Sequence, residues 1–300
     1  MKMWTLNLMQ LLLLLVLTLI VVAQNCTDTT QSTFLGMTQP SVLFRRCTVT
    51  AASVIVVNSS ATTTSSIEYC AFVGDSYLHV NGTAVASFTN RVTIEVLHST
   101  FREAGVTFSG NFSNASLTLR NNTMSITHCI EMGQPVTYNI ALFLSNLWLT
   151  NSTSFNVVGN IISTVDNANY SCALLVSVVV HNSTFLISYN NITASGSGNS
   201  YAYTLNINQP ITMTSSNWYI AYNNMTCTAN VVLTLRYIQP ITMTSSNWYI
   251  SYNNMTTKAS GVNVNSAYTM DFQQRITVIS SNYLLQPPEC REFFRLRRPS

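Results

Sequence analysis

The segment 209–226, QPITMTSSNWYIAYNNMT, recurs thirty residues later at 239–256 with a single change, Ala221 becoming Ser251. A unit repeated whole and in tandem buries its apolar face by stacking on its own copies, which is the signature of a solenoid. Within the unit, Ile211 to Met213 alternates apolar and polar, Trp218 to Tyr222 alternates large and small, and Val231 to Leu235 forms a third apolar run. None of the three has a helical period, and polar turn residues separate them. Fainter copies carry an aromatic anchor at Phe155, Phe185, Trp218, Trp248 and Tyr283, in steps of 30, 33, 30 and 35. Three short strands per turn predict an all-β chain, a right-handed parallel β-helix of roughly 30-residue coils. The chain length then gives about eight or nine coils in a rod on the order of 40 Å long. An antiparallel β-sandwich of many short strands is the alternative.

Composition agrees with strands and narrows the partners. Only 8% of residues are charged and 47% are hydrophobic, with Thr, Val, Ile and Tyr filling the patterned stretches, and such side chains suit a pleated, half-buried surface. The net charge of +3 comes from a C-terminal cluster, Arg291, Arg295, Arg297 and Arg298, so the body is near neutral and nucleic-acid binding is not expected. The recurring asparagine pair has a mechanical meaning. A side-chain amide at one turn of every coil can hydrogen-bond the coils above and below, and asparagine tolerates the left-handed backbone of a sharp turn. Asn190, Asn223 and Asn253 are the expected ladder. Their sequon neighbours Asn224 and Asn254 are expected to face solvent. Trp218 and Trp248 are placed in the coil interior, with Tyr219 and Tyr249 as candidate exposed aromatics.

Residues 1–23 have the layout of a secretory signal peptide: Lys2, an apolar run with five leucines at 11–15, then small residues at Val21 and Ala23. An uncleaved signal anchor is the alternative. The β-helix is expected over 24–285, with a basic tail over 286–300. Twelve Asn-x-Ser/Thr sequons begin at Asn25, Asn58, Asn81, Asn111, Asn114, Asn121, Asn151, Asn169, Asn182, Asn191, Asn224 and Asn254. That is a modest excess over what the composition gives by chance, but on an exported chain several would meet the glycosylation machinery. Seven cysteines, Cys26, Cys47, Cys70, Cys129, Cys172, Cys227 and Cys290, follow no known framework. Cys227 is replaced by Thr257 in the second copy, so a buried free thiol is expected there.

Catalysis on a β-helix calls for carboxylates clustered on one face. No acid occurs between Asp166 and Asp271, across the best repeats. Only Glu68 with Glu95, and Glu103 with Glu131, approach a coil spacing. His98 and His128 are thirty apart, while His79 and His181 stand alone, and no metal, phosphate or nucleophile motif is present. No catalytic residue, cofactor or metal is therefore assigned.

The unit SSNWYIAYNNMT followed by a Val/Leu run resembles the repeats of the large kinetoplastid surface proteins of the dispersed gene family and related membrane-associated proteins, over about 148–285. The resemblance implies a secreted or cell-surface β-helical glycoprotein, reached through the secretory pathway, in contact with glycans, other cells or matrix proteins. This chain is short for that family and lacks its C-terminal spans, so a fragment of a larger parent is expected, and membrane association would come through that parent or the uncleaved anchor. The function expected is non-enzymatic adhesion or surface coating. A β-helical polysaccharide lyase or glycoside hydrolase is the alternative.

Overall fold

A computed structural model describes residues 25–296 apart from 28–29, 32–33, 38–40, 51–52, 58–62, 75, 83–90, 128–137, 167–169, 198–199, 260–265, 274 and 286–293. The signal-like segment, Cys129, Cys290 and most of the basic tail therefore lie outside the described residues. Every strand pairing among those described is parallel, in three long sheets of ten (sheet A), nine (sheet B) and thirteen strands (sheet C). The chain is a parallel β-helix. The antiparallel sandwich is excluded by this pairing.

One coil shows the path. Ile211–Thr214 lies in sheet C, Ser215 and Ser216 turn the chain, and Asn217–Ala221 joins sheet A. Tyr222 and Asn223 make the next corner, Asn224–Ala229 runs in sheet B, and Val231–Tyr237 returns along sheet C. A three-strand coil was expected, and Asn224–Ala229 is the strand that expectation omits. Its sequence, NMTCTA, opens on a residue typical of turns and is polar at alternate positions. Yet Met225, Cys227 and Ala229 all point inward and are buried. Ten strands in sheet A exceed the eight or nine coils expected and span about 43 Å at the usual strand spacing.

Register places the aromatic anchors in one internal column. Phe155 lies opposite Phe185, Phe185 opposite Trp218, Trp218 opposite Trp248, and Trp248 opposite Tyr283. Ring centroids in this column are 5.5, 4.8, 5.9 and 5.2 Å apart. Trp218 and Trp248 are fully buried, each contributing an apolar burial worth roughly 1.5–3 kcal/mol or more. Their indole N–H groups find no acceptor, which offsets part of that gain.

Two corners carry continuous polar ladders. Between sheets A and B, Asn122 donates Nδ2 to Oδ1 of Asn160, Asn160 to Asn190, Asn190 to Asn223 and Asn223 to Asn253, at 2.9–3.0 Å. Each backbone N–H donates to the same oxygen of the next coil. Each Nδ2 also reaches a carbonyl of the preceding coil: Val96, Leu119, Val157, Ile187 and Ile220, at 2.7–3.0 Å. Ser99 continues the column toward the N-terminus, its N–H donating to Asn122 Oδ1 at 2.9 Å. Between sheets C and A, the N–H groups of Thr153, Ser183, Ser216 and Ser246 donate to the hydroxyls of Ser183, Ser216, Ser246 and Ser281. Corner backbone that would otherwise be buried without partners is satisfied in this way, coil after coil.

Candidate binding face

The residue before each inward corner position, which is Cys47, Cys70 and Ser99 and then the ladder asparagines, turns the corner with a positive φ. In successive coils it is Arg46, Tyr69, His98, Asn121, Gly159, Tyr189, Tyr222 and Tyr252, with φ between 50° and 67°. The left-handed turn aims the following residue inward and its own side chain outward. Its N–H bonds to the next coil, as from Tyr189 to the Ala221 carbonyl and from Tyr222 to that of Ser251. Glycine and asparagine take this conformation readily, whereas other L-residues are disfavoured by roughly 1–2 kcal/mol. Three consecutive coils nevertheless use tyrosine.

Those tyrosines stack. Ring centroids are 5.0 Å apart between Tyr189 and Tyr222 and 4.9 Å between Tyr222 and Tyr252, with interplanar angles of 3° and 7°. Tyr222, covered on both faces, is 49% exposed, while the flanking rings are 63% and 61% exposed. What the ladder offers to solvent is thus ring edges and phenolic hydroxyls. Beside it run the exposed amides of Asn191, Asn224 and Asn254, bonded to one another at 3.2 and 3.1 Å. On the sheet A side, Tyr219 and Tyr249 are half-buried and stacked at 5.3 Å, and burial followed by the Tyr249 neighbour pushes the Tyr219 phenol up. Asn217, Asn247 and Asn282 form a second external amide row at 2.8 Å. Lys258, opposite Thr228, is exposed on the same strand four residues beyond Asn254 and stands outside these rows.

The predicted ladder residues Asn190, Asn223 and Asn253 are buried, and Asn191, Asn224 and Asn254 are exposed, as are the sequon residues Asn121, Asn151 and Asn182. Asn81, Asn111 and Asn114 are partly buried. Asn58 and Asn169 lie outside the described residues, as does the side chain of Asn25. Tyr189, Tyr222 and Tyr252 were missed as exposed aromatics, because an alternating strand pattern extends through Trp218–Tyr222 and hides the corner. The Tyr-Asn-Asn triplet was the available signal.

A second polar cluster lies on sheet C. His79 Nε2 is 2.7 Å from the Ser109 hydroxyl, which is 3.4 Å from Asn81 Oδ1. Burial holds the His79 imidazole below its ordinary pKa. Sequence spacing left His79 isolated, and the thirty-residue step to Ser109 is what joins them. The other titratable pairs separate. Glu95 faces Ser66 while Glu68 faces Leu97, so those carboxylates occupy different columns. Glu68 approaches Arg45 at 3.8 Å, and Glu103 accepts from Thr127 N–H and Oγ1 at 2.8 and 2.6 Å. His98 stacks on Tyr69 at 5.1 Å. Glu131 and His128 are outside the described residues. Cys47 is disulfide-bonded, and Cys70, Cys172 and Cys227 are buried free thiols. Among the described residues no group of three metal-ligating side chains converges, and no helix is long and apolar enough to cross a membrane.

No family model, curated protein or solved structure matches this chain.

Proposed function

We propose that this β-helix is a secreted or cell-surface glycoprotein domain that acts by contact, in adhesion or as a surface coat, and not by catalysis. The observation that carries this reading is the uncharged Tyr–Asn face. Four parallel columns of exposed or half-exposed aromatic and amide groups sit on a scaffold whose strands and corners are tied from coil to coil. Such a face recognises ligands by hydrogen bonding and contact area, without electrostatic steering. The signal-like N-terminus, the exposed sequons and the resemblance to kinetoplastid surface proteins point to the same extracellular setting, and the parent would be a larger surface protein of that kind. The test is to secrete the chain from a eukaryotic cell and present it to arrays of glycans and matrix proteins. Retention without product release is the expected outcome. Release of any cleaved glycan would overturn the non-enzymatic reading.

A further inference from the structure

We propose that the Tyr189–Tyr222–Tyr252 ladder and its flanking asparagines bind one uncharged, extended polysaccharide chain lying along the solenoid axis, engaging a rung per coil. The proposal rests on the contact reading above and specifies its ligand.

The chain itself shows that tyrosine is not required by the corner. Asn121 and Gly159 build the same left-handed turn in earlier coils, with φ of 56° and 67°, and their own N–H groups bond the next coil just as those of the tyrosines do. The corner itself therefore does not call for tyrosine, and what sets these three coils apart is an unbroken exposed stack of three such rings.

Geometry selects the ligand. Rung spacing is 4.9–5.0 Å along the tyrosines, fixed by the distance between hydrogen-bonded strands. Only a ligand whose polar groups repeat at a matching step can address every rung at once. Because neighbouring rings cover each other's faces, a sugar cannot lie flat on Tyr222. It meets ring edges, the phenol O–H groups and the amides of Asn191, Asn224 and Asn254. Phenols and amides both donate and accept hydrogen bonds, and sugar hydroxyls do the same. Charge selects further. Residues 184–259, which make these coils, hold no carboxylate and only two cations, Arg236 on sheet C and Lys258 four residues along its strand from Asn254, so neither a polyanion nor a basic peptide finds a complementary field. A neutral polymer of linked pyranoses meets both conditions.

Asn191, Asn224 and Asn254 are also sequon residues, and a glycan attached to them would cover this face. The proposal therefore requires them unmodified in the secreted protein.

The experiment measures, by titration calorimetry, binding of neutral β-linked oligosaccharides of two to six sugars to the secreted full chain, alongside site occupancy by mass spectrometry. Affinity is expected to tighten by about tenfold or more from the shortest to the longest chain, as added rungs engage without new translational cost. Tyr222→Gly, which the corner accepts as it accepts Gly159, is expected to abolish most of that gain. Tyr69→Gly, far along the same corner, is expected to leave it intact. Length-independent binding, insensitivity to Tyr222→Gly, preference for an acidic polymer, or occupied glycans at the three asparagines overturns the ladder while leaving the contact reading standing. Failure to bind any glycan or matrix protein sinks both.

Discussion

Replacing Asn223 by alanine is the most direct probe of what holds the coils in register. The Asn223 side chain accepts from the N–H and Nδ2 of Asn190, both at 3.0 Å, and donates to the carbonyls of Ile187 and Ala221 and to Asn253 Oδ1 at 2.9–3.1 Å. Asn223→Ala leaves the buried Asn190 N–H without its acceptor, at about 1–3 kcal/mol for one orphaned donor. Asn190 Nδ2 keeps the Val157 carbonyl and Asn253 Oδ1 keeps the Asn223 N–H, so the remaining losses are partial. The expected total is about 2–5 kcal/mol. Asn224→Ala, next door but exposed, should stay within about 0.5 kcal/mol of wild type. Asn223→Asp separates the two halves of the amide. It can still accept from Asn190, but it cannot donate to the carbonyls and it buries a charge, so it should be the worst of the three. Urea unfolding followed by tryptophan fluorescence reads this directly, because Trp218 and Trp248 occupy the same coils. A loss below about 1 kcal/mol for Asn223→Ala, or no difference from Asn224→Ala, would refute the ladder as the source of corner stability.

Trp218→Phe should fall within about 1 kcal/mol of wild type, since it restores the Phe155–Phe185 pattern and deletes an unpartnered indole N–H, whereas Trp218→Ala should cost about 3–5 kcal/mol. Both are read from denaturation midpoints. Burial depresses the His79 pKa, so the unfolded chain takes up that proton first; stability is full above pH 6.5 and is lost as pH falls below it. The chemical denaturation midpoint should therefore drop between about pH 7.5 and about pH 5, less steeply in His79→Gln, and equal slopes would refute the assignment. Burial pushes the Cys172 thiol up to about 12 and that of Cys227 higher. Both should resist a thiolate-specific reagent in the native protein and react at once in denaturant, and native labelling of either would contradict their placement.

The interior of this fold was legible because the anchors are large. A Trp recurring at thirty residues can only be stacked on itself, and the Val231–Leu235 run is too apolar for anything but a buried strand. The asparagine pair was legible too, since one amide of two must point in, and the sequon lies on the other. Sheet B was harder to see because Asn224–Ala229 buries only small or flexible residues, Met225, Cys227 and Ala229, between threonines. The serine ladder at Thr153, Ser183, Ser216 and Ser246 was hidden by composition, since serine at a turn is unremarkable until register lines it up. The tyrosine corner was misjudged for an energetic reason. Propensity disfavours tyrosine at positive φ, so a pattern-based view continues the strand through Tyr222. The His79–Ser109 contact depends on the register between two adjacent but weakly patterned coils, which no local signal specifies.

The corner ladders also give the molecule a mechanical character. Their bonds run from coil to coil along the long axis, and each coil is held chiefly by its two neighbours. Tension applied along that axis, as when one end is anchored and the other is bound, loads a single junction between coils at a time. A released coil of thirty residues lengthens the chain by roughly 100 Å, against the few ångströms it occupied in the stack. The rod would yield in discrete steps, each dissipating work before the next junction is stressed, and its extension before rupture would scale with the number of coils.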